Sequence, residues 1–185
     1  MRTALLVLFA LLLAPGARAD SRVAAPRFDA RYARMARAEA LFLEDLFAVT
    51  REMAQENRLA ASWLLSGGVK GLPFDDYPER AATLLDRLER LDTPPRVRAL
   101  PQRIAEAFRA QGGFLSDWAA ALAEGRPFES QLTSEFGYHE GLHRSQRALF
   151  QAYERALALF ADEDETIRHA LQAELRALDL LWRGR

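Results

Sequence analysis

Four polar residues sit where the surrounding pattern calls for apolar ones. Between residues 132 and 160 the large side chains recur at helical spacing, yet the stripe Leu132, Phe136, His139, His143, Gln146, Phe150 is hydrophilic in its middle. Gln111 interrupts a second stripe between Phe108 and Leu115 in the same way. A polar side chain on the seam of a helical bundle costs free energy unless it is bonded. Three kinds of chemistry would supply the bond. A hydrogen-bonded layer would fix helix register, as buried asparagines do in coiled coils. A divalent metal, zinc or copper, would take His139 and His143, which at i and i+4 share a face, with Glu135 or a carboxylate such as Glu39 or Glu56 completing the shell. An organic ligand in a partly polar core would touch Gln111, His143 and Gln146. If the turn between the two helices pivots near Pro127, Gln111 and His143 lie at the same height.

Other patterns point to less. Ser66-Gly67-Gly68-Val69-Lys70-Gly71 is rich in glycine but has neither a preceding strand nor the lysine-hydroxyl ending of a phosphate loop, and it reads as a connection. No G-x-S-x-G nucleophile motif occurs. Met35 and Met53 have the chemistry to ligate haem b opposite a bundle histidine, but methionine on a helical stripe reads as gap-filling core.

The elements that must position these residues are helical throughout, with no alternating or β-branched run fit for a sheet. A first helix is expected from near Phe28 past Trp63, carrying Phe28, Tyr32, Met35, Phe42, Leu46, Val49 and Met53 and ending at Ser66-Gly67-Gly68. A second spans Tyr77 or Pro78 to about Leu91, where Thr93-Pro94-Pro95 stops it. A third runs to about Glu124 with a kink at Pro101, and Gly125-Arg126-Pro127 closes it. A fourth covers roughly 130–160, with Phe150, Tyr153, Leu157 and Phe160 on its stripe. A fifth follows the acidic cap at 162–165 and presents Ile167, Leu171, Leu175, Leu178 and Trp182. Short connections make the last three an antiparallel, up-down set.

The chain has 185 residues, half of them apolar, with no cysteine and a formal charge of −1. Disulfide scaffolds, zinc ribbons, iron–sulfur centres and covalently attached c-type haem are excluded on those grounds. Arg2, the apolar run Ala4 to Leu13, Pro15-Gly16 and Ala17-Arg18-Ala19 form a Sec signal peptide cleaved after Ala19. Ten apolar residues fall short of the roughly 20 that span a bilayer in a helix, and no later run is longer. Losing Arg2 and Arg18 takes the formal charge from −1 to −3, which argues against a nucleic-acid partner. Of 25 basic residues only Lys70 is lysine.

From Arg58 to Trp118 the sequence resembles the secreted all-helical chorismate mutases. The resemblance rests on Arg58-Leu59, on Pro73-Phe74-Asp75-Asp76 followed by Arg80, and on Gln111 seven residues before Trp118. It implies that Arg58 and Arg80 clamp the two carboxylates of chorismate, that Lys70 and Gln111 bond its ether oxygen, and that Asp76 orients its neighbours. Such a pericyclic rearrangement needs only a compactly held substrate and donors aimed at the oxygen where charge builds up. The chain departs from the family in the position of Lys70, which lies in a glycine loop rather than on the first helix, in one extra residue between Asp76 and Arg80, and in the histidines at 139 and 143.

The expectation is an all-α, up-down bundle of four to five helices, one domain after a cleaved leader, periplasmic or secreted. It would bind a small-molecule ligand through its polar core layer or dock on an envelope protein. The two alternatives are a chorismate mutase and a divalent-metal-binding protein.

Overall fold

The structure, a computed structural model, describes residues 27–66, 75–125 and 140–178. The leader, Lys70, Glu135, His139 and Trp182 lie outside them. The described residues form five α-helices and no strand: α1 (Arg37–Leu65), α2 (Tyr77–Glu89), α3 (Ala99–Ala123), α4 (Glu140–Leu159) and α5 (Glu165–Ala177), with a 3-10 turn at Pro95–Val97 before α3. The protein is an all-helical bundle. Helix α1 packs on α2, α3 and α5, α3 lies along α4, and α5 returns against α4 and α1. Four helices thus form a ring, and α2 covers the α1/α3 edge. Among the described residues no helix is long and apolar enough to cross a membrane.

Helix α1 starts nine residues later than its apolar spacing predicts. The Asp29 carboxylate accepts the Arg31 backbone N–H at 2.9 Å, an Asx turn that competes with helix at its own position. Phe28 is nevertheless buried, meeting Phe47 edge-on at 5.7 Å between ring centroids, while Tyr32 is exposed. From there Phe42, Leu46, Val49 and Met53 all face inward, each large one contributing roughly 1.5–3 kcal/mol relative to exposure.

Pro101 falls in the first turn of α3, where its missing N–H would have had no partner inside the helix, so it carries none of the penalty that would kink a helix interior. The helix stops as expected: Gly125 adopts φ +73° and its N–H returns to Leu122 at 3.0 Å. Asp164 caps α5 by accepting the Ile167 N–H at 3.1 Å, and Ile167, Leu171, Leu175 and Leu178 are buried.

The inner face of α4 differs from its expected stripe. Ser145, Ala148, Leu149, Ala152, Ala156 and Phe160 are buried, whereas Phe150 is exposed and Tyr153 and Leu157 are half-buried. Helix α3 answers with Ala105, Ala107 and Ala119 among its own buried residues. Small side chains on both helices let the two backbones lie close, so the largest residues of α4 are turned outward.

Candidate functional site

A hydrogen-bond chain crosses the core at the level of Gln111. The Tyr77 hydroxyl on α2 donates to Asn57 Oδ1 on α1 at 2.7 Å. Asn57 Nδ2 donates to Gln111 Oε1 on α3 at 2.5 Å. Gln111 Nε2 then donates to Ser145 Oγ on α4 and to the Leu178 carbonyl just past α5, both at 2.8 Å. Asn57, Gln111 and Ser145 are each at most 1% exposed. The chain therefore touches all five helices or their ends, and every donor points the same way along it. Burial, with the negative charge of Glu56 nearby, pushes the Tyr77 phenol well above its ordinary value, so it stays a donor.

The partner of Gln111 is Ser145, two residues beyond the expected His143. Along a helix that is only about 3 Å, but around it about 200°. His143 is consequently exposed, and Gln146 is half-buried. The layer made of Gln111, His143 and Gln146 is corrected to one made of Asn57, Gln111, Ser145 and Tyr77. Asn57 was open to discovery by the same rule that singles out Gln111, because it follows Met53 by four on the apolar stripe of α1. Among the described residues no cluster of three or more potential metal ligands forms, and His139 and Glu135 lie outside them.

The residues brought forward by the mutase resemblance fall at three separate places around α1: Arg80 and Asp76 on the side of α2, Arg58 toward α5, and Gln111 in the core against Asn57. Arg80 on α2 holds Glu56 at 2.7 Å and Asp76 at 3.6 Å, and beside it Arg87 pairs with Glu52 at 2.5 Å, which holds the Glu52 carboxyl below its usual range. Glu52, Glu56, Arg80 and Arg87 line a groove of about 420 Å³ between α1 and α2. Arg58 lies two residues past Glu56, about 200° round the helix, and bonds the Ala177 carbonyl at 2.6 Å. Gln111 already donates to Ser145 and Leu178 and accepts from Asn57. Lys70 lies outside the described residues.

A second and larger groove, about 610 Å³, follows the seam between α1 and α5. On α1 it is lined by Arg51, Ala54, Gln55, Arg58, Leu59 and Ser62, one helical stripe at 3/4 spacing, and on α5 by Ala173, Glu174 and Ala177, with Arg27 beside them. Along the groove two polar links cross the seam: Arg51 to the buried Glu174 at 2.5 Å, and Arg58 to the last carbonyl of α5, a group with no partner inside its own helix. The small residues Ala54, Ala173 and Ala177 leave room between these links. Nothing about this groove is visible in one helix alone, since it exists only where two helices splay.

Comparison with protein-family models, with curated proteins and with solved structures finds no match to the chain.

Proposed function

We propose that the protein is an exported binding module whose ligand sits in the α1/α5 seam. The observation that carries this reading is the groove itself: three arginines, Arg27, Arg51 and Arg58, against one carboxylate, Glu174, around a floor of alanine. That is a local excess of two positive charges on a chain of net negative charge, and it favours an anion with an apolar body. The core layer supports the same reading by exclusion, because its polar groups bond one another and offer a guest little. Export rests on the leader at residues 1–19.

The test uses 8-anilinonaphthalene-1-sulfonate, an amphiphilic anion whose fluorescence rises in apolar sites. It should bind the mature chain saturably, and Ala173→Phe, which fills the groove from the half-buried side of α5, should abolish the signal without lowering the melting temperature. Undiminished fluorescence in that variant would remove the seam as the seat. Turnover of chorismate, lost in Arg80→Ala, would instead favour the mutase alternative, and a stoichiometric heat with Zn²⁺ or Cu²⁺ the metal one.

A further inference from the structure

The two arginines that close the α1/α5 seam are set at a fixed interval. Arg51 and Arg58 are seven residues apart, two turns of one helix, so their Cα atoms are separated by about 10.5 Å and lie within about 20° of the same face. Each is steadied from α5 by a single hydrogen bond, Arg51 by the Glu174 carboxylate and Arg58 by the Ala177 carbonyl. A guanidinium has five N–H donors in a planar fork. One bond apiece holds each fork in position and leaves donors over, and a carboxylate is the group that takes such donors in pairs. Between the two positions the lining is Ala54, Ala173 and Ala177, short and apolar, with Gln55 and Leu59 at the rim.

Resting on the reading of this seam as the ligand seat, we infer that the ligand is an elongated dianion: two carboxylates joined by an apolar chain long enough to reach from Arg51 to Arg58. The two ends would be recognised by paired, charge-assisted hydrogen bonds and the middle by contact with the alanine floor. An anion with one charged end satisfies one arginine only. A short dianion carries the right charge but cannot reach both. Fixed spacing of two charged anchors on one rigid helix is what turns a general attraction for anions into selection by length.

Three probes separate these cases by calorimetric titration of the mature chain at constant ionic strength. Suberate has two carboxylates at about the required span, succinate has the same charge on too short a chain, and octanoate has the length of suberate with one charge. Suberate should bind at least tenfold tighter than either. Arg58→Gln should bring suberate to the octanoate level while changing octanoate by less than threefold. Because Arg51→Gln alone would strand Glu174 in the interior, the matching variant at the other end is Arg51→Gln with Glu174→Gln, and it should have the same effect. Equal binding of suberate and succinate, or of suberate and octanoate, would overturn the two-ended ligand and leave the seam standing as a seat. Absence of binding by all three, together with 8-anilinonaphthalene-1-sulfonate fluorescence untouched by Ala173→Phe, would overturn both.

Discussion

Replacing Gln111 by leucine tests how much of the bundle's stability passes through its buried hydrogen-bond chain. The two side chains are similar in volume, so little cavity opens, but three groups lose their partner. Asn57 Nδ2 and the Leu178 carbonyl are left buried without the bonds that Gln111 makes to them. Each such orphan costs about 1–3 kcal/mol. The Ser145 hydroxyl can turn to a carbonyl of its own helix and loses little. Leucine returns roughly 1–2 kcal/mol by burying apolar surface. At the middle of these ranges the net loss is about 2–3 kcal/mol, a large share of the roughly 5–15 kcal/mol of an ordinary domain. In a chain of this size that lowers the melting temperature by about 4–12 °C, at roughly 2–4 °C per kcal/mol.

Urea denaturation of the mature protein, with the slope checked for constancy, measures the loss directly. The triple variant Asn57→Leu, Gln111→Leu, Tyr77→Phe then decides its cause. It removes the two amides and the phenol together and strands only the Leu178 carbonyl, and it should recover about half of what Gln111→Leu loses, since the penalty belongs to unmatched groups and not to absent bonds. A loss below about 1 kcal/mol for Gln111→Leu would refute the reasoning, because it would mean that water or a rotated neighbour satisfies the orphans. A triple variant less stable than the single one would refute it as well, by showing that the chain of bonds stabilises the fold in its own right.

Two further outcomes follow from the same layer. Gly113 has open space where a Cβ would go, whereas a Cβ on Gly112 would stand 3.3 Å from the Tyr77 hydroxyl; Gly113→Ala should gain about 0.5–1 kcal/mol in helix propensity and Gly112→Ala markedly less or nothing, because Asn57 holds the hydroxyl in place, and equal gains in denaturation midpoint would show that the tyrosine is slack. The Tyr77 phenol keeps its proton more tightly folded than unfolded, so its contribution is complete below its ordinary value of about 10 and is lost as the pH rises above that; unfolding followed from about pH 8 upward should show this alkaline decline in the wild type and a smaller one in Tyr77→Phe, and parallel profiles would assign the decline elsewhere.

How much of this was legible beforehand differed from helix to helix, for physical reasons. Helix α5 was read correctly in phase because a short capped turn fixes its start and its inner face is made of large residues, Ile167, Leu171 and Leu175. Helix α4 was misread in phase because a stripe is sought among large side chains, and here the inward face is Ser145, Ala148, Ala152 and Ala156. The α3/α4 pair lies closely along its length, and closeness is a property of two helices that neither reveals by itself. Gln111 was found because glutamine among aromatics conflicts with its surroundings. Its true partner was missed by two residues, an error small in height and nearly a half-turn in direction. Asn57 stands on a stripe as apolar as that of Gln111, between Met53 and Ala60, but Glu39 and Glu56 break that stripe more conspicuously, because they are charged.

The core layer and the outer groove divide the polar residues of α1 into two roles that its sequence mixes. Asn57 is uncharged, wholly buried and saturated by neighbours, which suits a device that fixes how five helices meet. Arg51 and Arg58 flank it in sequence but face α5, where they bond groups that α5 cannot satisfy internally: a buried carboxylate and a terminal carbonyl. A seam sealed by apolar interdigitation would admit a guest only by losing packing over its whole length. A seam bridged at two points by arginines with donors to spare can admit one between the bridges while both links persist. The two-turn spacing belongs to α1 alone, but the bond from Gln111 to the Leu178 carbonyl fixes where α5 lies against it, so loosening the core layer by Gln111→Leu should shift the α5 groups that steady the two arginines and weaken length selection in the groove even though Gln111 does not line it.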